Sequence, residues 1–360
     1  MGPLAGIKII EMVGLGPGPF AGMLLADMGA DVVQVERKSG GMMPAFNRRG
    51  KRSIALNLKE AKDVELLLQL VEKADALFEG FRPGVMEKFG VGPDVLLARN
   101  PKLVMGRMTG WGQTGPLAHA AGHDINYISL TGVLKAIGRK GDKPSIPLNI
   151  VGDYGGGAMF LVMGLLAALL EAQKSGKGQV IDVAMTDGSA MLMSLFHSLH
   201  SIGLWSTHQG QNMLDGGAHF YDVYETKDGK YVSIGTIEPQ FYMLLMQKMD
   251  LPPEFSAHMN AQKWPELKDQ LTGIFKTKTR DEWCELMEGT DVCFAPVLDY
   301  MEAQQHPHNV ARNTYIEVDG ETQPAPAPKF SRTVSEVQHG AHKAGADREE
   351  VLRDWGVEII

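Results

Sequence analysis

The chain has 360 residues, 44% of them hydrophobic and 22% charged, enough for a large core and, by length, for two domains. Its formal net charge of −8 gives a nucleic acid no attraction to the molecule as a whole, and beyond Arg48, Arg49, Lys51 and Arg52 no basic block stands out. Two cysteines, Cys284 and Cys293, do not make a disulfide framework and suit a reducing compartment.

The chain starts in a strand-like run, GIKIIEM, without the charged-then-apolar pattern of a signal segment, so a cytoplasmic protein is expected. A strand over 7–12, a Gly/Pro loop, a helix over 20–28 and a strand over 31–36 make a βαβ unit. The alternation continues with a strand over 53–56, an amphipathic helix over 61–74 with leucines at 66, 67, 68 and 70, a strand over 76–81, a helix over 91–98 and a strand over 103–108. Residues 109–153 read as irregular. An apolar helix follows over 155–174. Its run AMFLVMGLLAALLEA is too short for a bilayer and ends in charge and glycine, so it reads as a core helix, with no membrane insertion. A strand over 179–184 and a helix over 187–201 close this part.

Beyond the Gly-rich, polar stretch 202–218 the pattern changes. Runs over 220–225 and 231–237 flank Lys227-Asp228-Gly229, a hairpin signal, and helices follow over 239–249, 265–275 and 280–289. The expected architecture is α/β: a Rossmann-like large domain over 1–201 with a mostly parallel sheet, completed by the tail 315–360. A linker over 202–218, a smaller α+β domain over 219–300 and a return linker over 301–314 make up the rest.

The turn GPGPFA, Gly16 to Ala21, satisfies G-x-G-x-x-A between a strand and a helix, and Glu36 ends the next strand. A pyrophosphate site needs backbone N–H groups at that helix N-terminus, and Pro17 and Pro19 have none. The turn therefore reads as a tight βα connection with Pro19 near the first helical position, and no nicotinamide cofactor is expected. The histidine pairs also fall short of a metal site. His119 and His123 lack the glutamate of a zinc-peptidase helix, His197 and His200 share a helical face with no third ligand nearby in sequence, and His306 and His308 form a loop pair. No metal is expected.

Two polar spots remain. In AGHDINY, His123 follows Gly122 and stands beside Asp124. In LNIVGDYGGG, Asp153 precedes three glycines and the apolar helix. Asp153 is a favourable helix cap. A glycine-lined helix N-terminus also lets a ligand approach the backbone and favours a developing oxyanion. A third acid, Glu238 in IEPQFY, ends a hairpin strand where a helix begins.

The blocks EMVGLGPGPFAGMLLADMGADVVQVER, FRPGVMEKFG, MTGWGQTGP, AGHDINYISLTGVL, PLNIVGDYGGG, GKGQVIDVAM, NMLDGGAHFYDVYET and IGTIEPQFY, in this order, resemble the α-methylacyl-CoA racemases of the family III CoA-transferase superfamily. The resemblance implies a catalytic histidine at His123 and a catalytic aspartate at Asp153. It implies an acid at Glu238 that hydrogen-bonds the histidine, contributed across a dimer, and an asparagine, Asn149, beside the aspartate. It assigns the CoA portion of an acyl-CoA substrate to Arg37, Leu56, Asn57, Leu58, Lys59, Gly80, Phe81, Arg82, Lys88 and Gly122 with Asp124, Ile125, Asn126 and Tyr127. Some relatives have arginine at the place of Lys88, and lysine brings charge without the planar fork. An interlocked homodimer is implied, with CoA as part of the substrate and no separate cofactor.

The chemistry fits those residue types. Inverting the α-carbon of a 2-methylacyl thioester needs one acid/base group on each face and stabilisation of the enolate oxygen. A histidine and a carboxyl group supply the first, and N–H groups at the start of the helix after Asp153 supply the second. A rival reading is a CoA-transferase with Asp153 as covalent nucleophile; another is a non-catalytic acyl-CoA carrier. The many methionines read first as core filler, and the alternative is that Met191, Met193, Met213 and Met243 line an adaptable acyl site.

Overall fold

The computed structural model describes residues 2–37 and 47–358. In chain order the elements are β1 (Lys8–Met12), α1 (Pro17–Asp27), β2 (Asp31–Glu36), β3 (Lys51–Ala55), α2 (Ala61–Lys73), β4 (Ala76–Glu79), α3 (Val85–Lys88), α4 (Pro93–Arg99) and β5 (Val104–Thr109). Then come α5 (Asp124–Leu130), α6 (Val133–Ala136), a π-helix (Ile150–Ala158), α7 (Met159–Ser175), β6 (Gln179–Ala184), α8 (Met185–Leu192) and α9 (Ser194–Ser201). The remainder holds β7 (Tyr221–Glu225), β8 (Tyr231–Gly235), α10 (Pro239–Met249), α11 (Trp264–Phe275), α12 (Arg280–Met287), β9 (Phe294–Val297), α13 (Tyr300–Gln305), α14 (Pro307–Ala311), β10 (Tyr315–Val318), β11 (Glu321–Pro324) and α15 (Arg348–Trp355).

Two compact units result: Met1–Val133 with Pro147–Ser194 and Tyr315–Ile360, and Leu134–Ile146 with Leu195–Thr314. Residues 134–146 and 195–201, grouped with the large domain on sequence, fall in the second unit. Gln209 holds the first of these segments there, its amide donating to Arg139 O at 3.1 Å and Asp142 O at 2.7 Å.

The first unit is built on one six-stranded sheet in the order β3-β2-β1-β4-β5-β6, parallel at every pairing. Alternate strand residues feed two cores. Ile10, Val33, Leu77 and Met105 pack with α2, α4 and α15, while Ile9, Val32, Phe78 and Val104 pack with α1 and α7. A parallel sheet covered on both faces needs such near-continuous apolar strands. The strand order reverses direction between β1 and β4, and in open sheets of this kind ligands bind beyond the carboxyl ends of the strands at that switch.

Two polar devices hold the β1–β3 side. Lys51 of β3 and Glu11 of β1 form a fully buried pair at 2.8 Å, and Gln34 of the strand between them donates to the same carboxylate at 3.1 Å. Gly22 of α1 leaves the space this carboxylate fills, since a Cβ there would stand 2.1 Å from Glu11 Oε2. The edge strand β3 is covered by the tail: Asp347 N–H donates to Ser53 O at 3.0 Å and Ser53 N–H to Asp347 Oδ2 at 2.7 Å. Capping an edge in this way removes a template for unwanted strand pairing.

The apolar helix is longer than the sequence suggests. The π-helical turns run straight into α7, and together Ile150–Ser175 is, by length and composition, one helix long and apolar enough to cross a membrane. Its inner face, with Leu161, Leu165 and Ala168, is core against the sheet. Met159, Met163 and Leu170 are exposed.

The second unit carries an antiparallel sheet, β7-β8-β9, whose first hairpin turns at Gly229 with φ of 73°. Its core centres on Phe220, Tyr242, Phe255, Phe275 and Trp283. His219 is enclosed there, Nε2 at 2.8 Å from Tyr242 Oη, and among the described residues its Nδ1 has no hydrogen-bond partner. Burial, helped by His258 and Lys268, pushes the ring down to about 3. A histidine held neutral in the fold stabilises it fully above the unfolded value of about 6.5, and this is lost as pH falls toward the folded value. We therefore expect thermal melting of the wild-type chain to drop between pH 7 and pH 4, and His219→Phe to flatten that dependence. Differential scanning calorimetry across this range is the check.

Candidate functional site

Because all six strands run the same way, their carboxyl ends share one edge. The residues assigned to substrate on sequence follow those ends: Arg37 after β2, Leu56 to Lys59 after β3, Gly80 to Arg82 after β4, and the stretch 122–127 in the excursion that begins after β5. The turn after β1 lies against the turn after β4, with the Cβ position of Gly14 3.9 Å from Gly80 O.

Not every one of these side chains is free to touch a ligand. Leu56 is core, and Leu58 packs against the same cluster, so this segment offers mainly backbone. Asn57 forms a local turn, accepting from Lys59 N–H at 3.2 Å and donating to Glu60 at 2.8 Å. Arg37, Lys59, Arg82 and Lys88 are exposed. The 80–82 turn is braced from below. Arg107 of β5 binds Glu79 at 2.9 Å and Glu87 of α3 at 2.8 Å, and Glu79 accepts Phe81 N–H at 2.6 Å.

His123 caps α5 and is exposed. Its loop is fixed by Asn126, whose Oδ1 accepts His123 N–H at 3.0 Å, and by Tyr127, whose hydroxyl donates to Gly122 O. Tyr127 stands edge-on to Trp111, with ring centroids 4.7 Å apart. Gly110 and Gly122 make room for these rings: a Cβ at Gly110 would lie 2.0 Å from Tyr127 Cζ and one at Gly122 would lie 2.9 Å from Trp111.

Asp153 sits inside the π-helix, not at a helix start as its sequence suggests. Such segments are uncommon and tend to occur at functional positions. Two flanking groups orient it. Asn149 Nδ2 donates to Asp153 Oδ2 at 3.1 Å, and Asp153 N–H donates to Asp124 Oδ2 at 2.7 Å. Asp124, the neighbour of His123 in sequence, is therefore the link between the two polar spots. It is buried, and its other oxygen has no partner among the described residues. The Asp153 carboxyl is raised above its ordinary range, first by burial and also by Asp124, while Asn149 and His123 oppose the rise. Tyr127 is raised too, by burial and then by Asp153, with Arg82 opposing.

The residue that sequence reasoning missed is Gly16. A Cβ there would stand 3.1 Å from Asp153 Oδ2 and 3.5 Å from its Cγ. The glycine turn that matches a dinucleotide fingerprint is thus filled by a carboxyl side chain. Glu36, the fingerprint's acid, accepts from Ser53 Oγ at 2.5 Å and pairs with Arg48. The first turn of α1 also packs on the π-helix, with Phe20 stacked on Tyr154 at 4.4 Å. Glu238 belongs to the second unit, exposed as the N-cap of α10. Of the four methionines, Met191 and Met243 are exposed, and Met213 packs against the second unit's core.

A Rossmann-like sheet with polar side chains gathered at its carboxyl edge agrees with the family match. Residues 4–348 match the model for CoA-transferase family III, and the chain belongs to that family. Within it, the chain is 46% identical to α-methylacyl-CoA racemase of Mus musculus and 42% identical to that of Homo sapiens, in each case over 98% of this chain and 93% of the relative. The crystal structure of a CAIB/BAIF family protein from Brucella suis superposes with a TM-score of 0.85 over 98% of this chain and 99% of that one, at 24% identity, which shows the fold.

Gly16→Ala tests the contact directly. The added methyl group meets Asp153, and the φ of 70° is strained for alanine. At 3.1 Å the carboxyl group must give way by a few tenths of an ångström, so the expected result is a folded protein with kcat reduced by up to about tenfold, less than the roughly hundredfold cost of an ångström-scale misplacement. Circular dichroism and the turnover assay described below check it.

Proposed function

We propose that the chain is an isomerase that interconverts the (2R) and (2S) epimers of 2-methylacyl-CoA thioesters by 1,1-proton transfer through an enolate. The observation that carries this reading is the convergence of a histidine and a carboxyl group from separate segments, coupled through Asp124, with the carboxyl raised above its ordinary value. Neutral His123 takes the α-proton of one epimer while protonated Asp153 delivers one to the opposite face, and the reverse reaction exchanges their roles. A raised carboxyl suits this, because the group must hold a proton near neutral pH. Asn149 orients that carboxyl group. Free N–H groups of the π-helix's first turn would meet the enolate oxygen. Asp153 N–H is already engaged by Asp124.

The same reading places the CoA portion along the carboxyl edge, with Arg37, Lys59, Arg82 and Lys88 toward its phosphates and the backbone of 56–59, 80–82 and 122–127 along the rest. It includes a homodimer in which Glu238 of the partner subunit orients His123. Exposed apolar side chains on the helices around the site, among them Ile125, Leu130, Ile150, Met159 and Met163, support such a partner. The proton transfers require no metal, flavin or nicotinamide, and we place the protein in the cytoplasm. A CoA-transferase would use Asp153 as a nucleophile and would have no use for a base at His123 facing it across the substrate.

A single epimer of a 2-methylacyl-CoA, incubated with the protein and resolved by chiral chromatography, tests the assignment. Wild type is expected to bring the epimers to equilibrium, and His123→Ala and Asp153→Ala each to slow this by about 10²–10⁴-fold. Transfer of CoA to an added carboxylic acid that needs Asp153 but not His123 would replace the reading with the transferase one.

A further inference from the structure

The turn before α1 holds an oddity that the fingerprint alone does not explain. A helix N-terminus presents free N–H groups and partial positive charge, and this one abuts the Asp153 carboxyl group, which fills the space beside its N-cap, Gly16. Of the first three helical residues, Pro17, Gly18 and Pro19, two have no N–H to give. Pro17 also lies against the π-helix, with its Cβ 3.2 Å from the Cβ position of Gly157. Pro19 is held in place from below, because its carbonyl accepts from the buried Lys51 ammonium at 3.0 Å. The side-chain donor seen on the carboxyl group is Asn149.

We propose that Pro17 and Pro19 are positioning residues for proton transfer: they bring a helix N-terminus against Asp153 while deleting the N–H groups of its first and third residues, which leaves fewer donors to fix the group as a carboxylate. The proposal rests on the acid/base role given to Asp153 above. With ordinary residues at 17 and 19 the same turn would be an anion site, and hydrogen bonds to the charged form would hold the carboxyl low. The other groups facing Asp153 are Asp124 and Tyr127 of α5 and His123 at its cap, with Arg82 acting on Tyr127. Helix α1 brings no charged residue before Asp27 at its far end, and Asp187 of α8 is exposed.

The test uses the full-length chain with ¹³C-labelled aspartate carboxyl groups, the Asp153 signal being assigned by its loss in Asp153→Asn. Pro17→Ala and Pro19→Ala each restore one donor. The titration midpoint of Asp153 is expected to fall in both, by about one pH unit in the double variant, and the acid limb of kcat/KM to move down with it. Asn149→Ala, which removes a donor, is expected to move the midpoint up. A loosened turn without new donors would lower kcat and leave the midpoint in place. Folded proline variants with an unmoved or raised midpoint would overturn the proposal. The carboxyl titration reads Asp153 whether or not the chain epimerises a thioester, so failure of the functional reading and failure of this proposal give different results.

Discussion

The placement of one carboxyl group governs the arrangement. Asp153 occupies the space beside Gly16, at the carboxyl end of the first strand of a parallel sheet. That position demands a glycine at 16, a π-helical turn to deliver the side chain, and an acceptor for the Asp153 N–H, which Asp124 provides. Since Asp124 follows His123 directly, the bond that orients the carboxyl-bearing turn also sets the register of the histidine loop. The buried Lys51–Glu11 pair beneath α1 holds the turn itself through the carbonyl of Pro19. Breaking such a buried pair on one side typically costs about 3–5 kcal/mol, so it is a rigid support for the site.

The sheet explains how residues spread from Arg37 to Asn149 come to share one edge. Parallel strands put every βα turn on the same side, and the reversal of strand order between β1 and β4 opens a crevice there. In dinucleotide enzymes this crevice takes a pyrophosphate. Here the acid of the fingerprint is committed to Ser53 and Arg48, and the glycine turn is filled by Asp153. Similar topology therefore serves a different chemistry, decided by what stands above the turn.

Much of this was legible in the sequence. Strands such as VVQV in β2 and VMGRM in β5 are apolar runs each broken by one polar residue, Gln34 and Arg107, close to the near-continuous pattern that a doubly covered parallel sheet requires, and the Lys227-Asp228-Gly229 turn marked its hairpin. The family blocks led to His123, Asp153 and the CoA-transferase fold. What was not legible depended on contacts between distant segments. IVGDYGGGA has the glycine content of a loop, and its π-helical form depends on packing against α8, α5 and α1: a Cβ at Gly156 would lie 2.5 Å from Ser189 Oγ and one at Gly152 2.4 Å from Asp124 Oδ2. Strand β9 carries Pro296, which hid its pairing with β8. The hairpin of β10 and β11 ends at Pro324, inside what read as tail. Nor does any local pattern reveal that Gly16 faces a side chain 137 positions later in the chain.

The central claim is that two different groups serve opposite faces of one carbon. Its most direct test is a partial-turnover reaction in heavy water, started from one pure epimer and stopped well before equilibrium, with deuterium at the α-carbon measured separately in recovered substrate and in product. Two groups, each carrying its own proton, predict product with close to one solvent-derived deuterium and recovered substrate still largely protiated, from either starting epimer. Product that retains the original proton would mean that one group carries it across both faces, and would contradict the account.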